Sequence, residues 1–127
     1  YRVIANMQSS LKGVDELAEQ LQVLIRCEIA AIHGDDNPGF QLLVPEWRSL
    51  SAASQAPILE LRHVYEGLWR QVLDGLHDQG LMAVEGSFAR HFIRGALIET
   101  HNWYHTGGEL TLDELEEKLT QMVVGIN

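Results

Sequence analysis

At 127 residues the chain is long enough to bury one hydrophobic core without staples, and with 46% apolar and 21% charged residues it reads as a single globular domain. A formal charge of −9 repels phosphate, so the chain by itself is not expected to hold DNA. No apolar run approaches the ~20 residues of a membrane span, Tyr1 does not open a signal peptide, and the lone Cys27 cannot close an internal disulfide, so a cytoplasmic setting without a membrane partner is expected.

Apolar residues recur at helical spacing, and no stretch alternates for long enough to predict a sheet. Residues 1–12 read as a short helix closed by Gly13. From Asp15 to about His33, Leu17, Leu21, Leu24, Ile25, Ile29 and Ile32 recur at three and four, until Gly34-Asp35-Asp36-Asn37-Pro38-Gly39 breaks the helix. Phe40 to Trp47 is a short apolar piece containing Pro45. Ser51 and Ser54 are candidate N-caps for a long helix that runs to about Gln79 and stops at Gly80, with Pro57 tolerable in its first turn. Ser87 to Tyr104 forms the next helix, ended by Gly107-Gly108, and the last starts on a capping box of Thr111 and Glu114. The prediction is an all-α bundle of about six helical segments in one domain, 1–127.

Three charges fall on apolar faces when these helices are drawn at 100° per residue. Glu28 lies near the centre of the stripe of Leu17, Leu21, Leu24 and Ile32. Arg62 sits among Ile58, Leu61, Tyr65, Leu68, Trp69, Val72 and Leu76. Glu99 falls inside a face of Phe88, Phe92, Ala96, Thr100 and Trp103. An unpaired buried charge costs several kcal/mol, so each needs a partner or a wet cavity. Two arrangements satisfy that: Arg62 pairs with Glu28 or Glu99 in a closed core, or the three line a ligand pocket walled by Trp69, Tyr65 and Phe92.

The other face of the Ser87–Tyr104 helix carries Arg90, His91, Arg94, His101 and His105, with Gly95 and Ile98. It is either a solvated basic face or an interface, approached closely at Gly95 and Ala96 and complementary to the acidic last helix of a second subunit.

Motifs for chemistry are sparse. His101 and His105 lie one turn apart and present two metal ligands, but spacing fixes no third. Glu60-Leu61-Arg62-His63 is a single Glu-x-x-His, where di-iron bundles use two, and it falls on the polar side. Nucleophile elbows, phosphate loops and paired cysteines are absent, and Cys27 reads as a packed thiol. Neither an enzyme nor a cofactor is expected.

The ordered set Asn37-Pro38-Gly39, Arg62 with Tyr65-Glu66, Gly75 and Gly80, Gly95-Ala96-Leu97, Trp103-Tyr104 and Gly107-Gly108 resembles the C-terminal domain of TetR-family transcriptional regulators. His105 and Thr106 stand where a basic residue and Pro usually precede the glycines. The resemblance implies a ligand-binding and dimerising domain whose last two long helices, about 87–105 and 111–124, form a four-helix interface with a second copy. His91, Arg94, Gly95, Ile98, His101, Leu115, Leu119 and Met122 would lie there. It implies a pocket among the earlier helices, here assigned Glu28, Trp47, Arg62, Tyr65, Trp69, Phe92 and Glu99, for a lipophilic effector with a polar or acidic head, such as an acyl thioester. Residues 1–12 would be the lever to an N-terminal helix-turn-helix that this chain does not contain, through which alone DNA is met. The competing expectations are a stand-alone helical adaptor without ligand and a small bundle holding metal at His101 and His105.

Overall fold

The structure, a computed structural model, describes residues 2–33, 52–104 and 108–125. Among them run five helices and no strand: α1 (Arg2–Leu11), α2 (Leu17–His33), α3 (Ala52–Asp78), α4 (Gly86–Trp103) and α5 (Leu112–Val124). The expected all-α fold is the observed one: among the described residues five of the six predicted segments are helices. The apolar piece at 40–47, with Pro45 and Trp47, lies outside the described residues, as do the break at 34–39, Ser51, His105, Thr106, Gly107 and the side chain of Ile58.

Local chemistry sets the helix ends. Gly80 takes φ +75°, and the Gly80 N–H donates to His77 O while the Leu81 N–H donates to Leu76 O, so the last carbonyls of α3 are satisfied by a glycine-closed turn. Gly13, at φ +77°, separates α1 from α2 in the same left-handed region. At α5 the predicted capping box is present: Thr111 Oγ1 accepts from the Glu114 N–H and Glu114 Oε1 accepts from the Thr111 N–H, both at 3.1 Å. One expectation fails. Ser54 is not a cap, because α3 already runs from Ala52, and this puts Pro57 in the second turn, where its missing N–H forgoes a helix bond. Helix α4 starts at Gly86, within one residue of the expected Ser87, with Glu85 as an N-cap that makes no side-chain cap bond.

The central helix is α2, which packs against α1, α3, α4 and α5. Its Leu21, Leu24, Ile25, Ile29 and Ile32 are all buried, and the core is completed by Tyr65, Trp69, Val72, Leu73 and Leu76 of α3. From α4 come Ala89, Ile93 and Leu97, and from α5 Leu115. That inner face of α4 is a correction. The aromatic stripe predicted to face inward is exposed instead, with Phe88 at 59%, Phe92 at 58% and Trp103 at 49%. The helix is turned by one residue, roughly 100°.

Candidate functional site

Glu28 of α2 is fully buried, and its carboxylate is the hub of the polar groups in the core. Arg90 of α4 donates to it twice, Nη1 to Oε2 at 3.1 Å and Nη2 to Oε1 at 2.9 Å. The Tyr65 hydroxyl of α3 donates to Oε1 at 2.5 Å. The other edge of the same guanidinium serves Glu66 of α3, Nε to Oε1 at 2.7 Å and Nη2 to Oε2 at 2.9 Å. One cation thus ties three helices together through two forked pairs. Its plane is covered by the Trp69 ring at 4.3 Å and the Tyr65 ring at 5.7 Å, so aromatic faces replace water where carboxylates do not reach.

The titration behaviour follows from this packing. Burial would lower the Arg90 pKa, yet Glu28 and Glu66 outweigh it and hold the guanidinium charged. Burial, then the Glu28 charge, push the Tyr65 phenol well above its usual range, which keeps it a proton donor. Burial would raise Glu66, but the hydrogen bonds and charge of Arg90, with Arg94 beyond, bring it below the ordinary carboxylate value.

Helical spacing pairs Arg62 with Glu28 or Glu99 in a closed core, or sets all three around a ligand pocket; the structure instead pairs Glu28 with Arg90, a residue that the same spacing assigns to the outer basic face. The signal was there, since Gly86, Arg90, Ile93, Leu97, Thr100 and Tyr104 recur at four, three, four, three and four. Arg90 is merely the charged member of the inner stripe. Glu66 lies at the edge of the apolar stripe of α3, so spacing alone does not mark it as a partner for the core. Of the residues assigned to a pocket, Glu28, Tyr65 and Trp69 meet around Arg90, and Arg62 is half-buried close to Arg94 and Glu66. Phe92 and Glu99 point away from them; Glu99 is exposed and accepts from Asn102 Nδ2 at 3.2 Å. Trp47 lies outside the described residues.

Of the residues assigned to an interface, His91, Gly95, His101 and Met122 are exposed, and Arg94, Ile98 and Leu119 are half-buried. Leu115 is 2% exposed and spent inside this chain's own core, so it is not on an outer face. Helices α4 and α5 both lean on α2 and leave between them an apolar groove, with Ile25 at its base and Phe88, Phe92, Met122 and Val123 along it. A second, more polar groove of about 320 Å³ runs between α1 and α3, bordered by Gln8, Lys12, Gln20, Leu68 and Gln71.

At the far end of the bundle His33 of α2 meets Thr100 of α4, Nε2 to Oγ1 at 2.8 Å. The Thr100 hydroxyl already donates to Leu97 O at 2.5 Å, so the His33 Nε2 must carry the proton. Burial, then repulsion from His101, lower the His33 pKa. Among the described residues no three His, Cys, Asp or Glu stand together to hold a metal, and Glu60 and His63 are both exposed. Cys27 is half-buried with its thiol pKa raised by burial, which makes it a poor nucleophile.

With four helices packed around α2 and an ion cluster at the centre, the described residues form a helical bundle. The sequence matches the family described as "Tetracyclin repressor-like, C-terminal domain" over residues 14–126. The chain belongs to that family, whose members are in general the ligand-binding and dimerisation domains of regulators. Among solved structures, the crystal structure of superantigen PfiT is similar at a TM-score of 0.86 and 40% identity, over 99% of this chain and 67% of that one. A comparison with curated proteins returns no match. No helix among the described residues is long and apolar enough to cross a membrane.

Proposed function

We propose that this chain is the effector-sensing, dimerising part of a TetR-like transcriptional repressor, answering to a lipophilic small molecule and acting on DNA through an N-terminal head. The observation that carries the reading is the outer face of α4. Phe88, Phe92 and Trp103, joined by Met122 of α5 at 65% exposure, form an apolar surface that the chain's own core leaves uncovered. Contiguous apolar surface of this kind marks an interface, and in this family the last two long helices supply one. Sensing then follows as a population shift. An effector induces only to the extent that it binds the DNA-released arrangement of two subunits better than the DNA-bound one.

The effector is assigned to the side of α3 and α4 where Arg62 stands, with Tyr65 and Trp69 behind it. Native mass spectrometry of the purified protein is the direct test. A dimer carrying a non-covalent organic mass is expected; a bare monomer would move a ligand-free adaptor to the front. Arg62→Met is expected to weaken effector binding and to leave the far-ultraviolet circular dichroism and the melting temperature nearly unchanged. Unfolding of that variant would show Arg62 to be structural.

A further inference from the structure

We propose that the seam between α3 and α4 contains an oxyanion subsite, built from Arg94 and Arg62 beside Glu66, that takes the carboxylate or phosphate end of an amphiphilic effector. The inference rests on the effector-sensing reading and sharpens it to a class of head group.

Arg94 is the starting point. It follows Arg90 by one turn on α4, and the only carboxylate it reaches among the described residues is Glu66. Both oxygens of Glu66 are already committed to Arg90, at 2.7 and 2.9 Å. The Arg94 Nη2 is left at 3.5 Å from Glu66 Oε1, too long for a charge-assisted hydrogen bond. Its Nε is buried and has no acceptor among the described residues. A guanidinium donor withdrawn from water without a partner is costly, and an oxyanion offers the acceptors it lacks.

Arg62 supplies the second charge. It precedes Glu66 by one turn on α3, so it stands on the same side of the seam. Burial lowers its pKa first and the positive charge of Arg94 second, which places the two guanidiniums within mutual influence. An anion between like charges relieves their repulsion, whatever else each of them touches. The remaining requirements are access and a place for the tail. The Arg94 side chain is 34% exposed against 4% for Arg90, so a head group meets the exposed part of Arg94 from solvent, and the buried Nε reaches it once that side chain turns outward. The apolar residues nearest the pair along the helices are Leu61, adjacent to Arg62, and Ile98, one turn beyond Arg94, both half-buried against the core. A bound head group would bridge α3 and α4 across the face where Arg90 already joins them, and so would bias the relative position of those helices.

The test uses three probes with the same tail, dodecanoate, dodecyl phosphate and 1-dodecanol, each below its aggregation limit, with affinity read by calorimetry and by the rise in melting temperature. Both anions are expected to bind about tenfold or more tightly than the alcohol. Arg94→Gln should erase that preference and Arg94→Lys should keep part of it. Arg70→Gln, which removes an exposed charge from α3 outside the seam, should leave it intact. Equal binding of the alcohol and the anions would overturn the subsite and leave effector sensing standing. An anion preference that survives Arg94→Gln would likewise overturn it, since the head group would then be met elsewhere. Failure of all three probes would overturn the subsite and the lipophilic-effector reading together.

Discussion

A guanidinium that is 4% exposed keeps its charge in the core because Glu28 and Glu66 reach it from two other helices. Buried ion pairs gain little over well-packed apolar groups, but breaking one from a single side strands the remaining charge. Arg90→Met should therefore cost about 3–5 kcal/mol in urea unfolding, because Glu28 is left fully buried without its cationic partner and with Tyr65 as its remaining donor among the described residues. Adding Glu28→Gln to that variant should recover most of the loss, since the amide oxygen still accepts from Tyr65 and no charge is left behind. If the double variant is no more stable than the single one, stranded charge is not what the first substitution exposed. Acid provides an independent probe of the same cluster. The Glu66 carboxyl titrates below its ordinary 4.5 when folded, so its contribution is present above about that pH and is lost as pH falls through the lower folded value. His33 acts in a higher window. Its folded pKa is below 6.5, so protons bind the unfolded chain first and stability declines as pH drops from about 6.5. Melting temperature against pH should show both declines, with Glu66→Gln flattening the lower and His33→Gln the upper.

On α4 the reading from sequence and the structure part company, for a physical reason. Helices α2 and α3 each carry one apolar stripe, so the spacing of Leu21, Leu24 and Ile32, or of Tyr65, Trp69, Val72 and Leu76, points straight at the core. Helix α4 carries two: Ala89, Ile93 and Leu97 inward, Phe88, Phe92 and Trp103 outward. A wheel weighted by hydrophobic bulk chooses the aromatic side, which also places Glu99 inside and Arg90 outside, both wrongly. The fold class, the glycine-closed ends of α1 and α3, the capping box of α5 and the burial of Glu28 were legible, because each rests on short-range spacing or glycine and capping chemistry. The partner of Glu28 was not, because pairing across helices depends on how each is turned. Two glycines of α4 separate its faces experimentally. A Cβ on Gly86 would meet Asp74 Oδ1 and lie 3.1 Å from the Asp74 backbone nitrogen, so α3 and α4 must move apart. Gly86→Ala is expected to destabilise by about 1–3 kcal/mol. A Cβ on Gly95 meets nothing within 4 Å in this chain, so Gly95→Ala should stabilise the isolated subunit by about 0.5–1 kcal/mol through helix propensity alone. Chemical denaturation of the two variants side by side gives both values.

Three forces act when two chains meet. Each carries a formal −9, which disfavours association, and each presents Phe88, Phe92 and Met122 to solvent, which favours it. Attraction between the histidines and Arg94 of α4 and the acids of α5 is the third term, and the structure diminishes it: Arg94 faces Glu66 at the seam with α3. Apolar area is thus expected to drive a symmetric dimer against net repulsion. Repulsion beyond about 10 Å is screened at 0.1 M salt, so the dimer should tighten as salt rises from low to moderate ionic strength. In a two-fold dimer a single substitution acts twice. Losing the burial of two phenylalanines, at about 1.5–3 kcal/mol each, corresponds to roughly a hundred- to ten-thousandfold in Kd, before the cost of placing two carboxylates in the apolar groove. Phe92→Glu should therefore sediment as a monomer at micromolar concentration with unchanged helix content, because Phe92 is 58% exposed and the core does not depend on it. A Phe92→Glu protein that dimerises like the parent would place the interface on another face. A dimer that weakens with salt would return the leading role to charge pairing between α4 and α5.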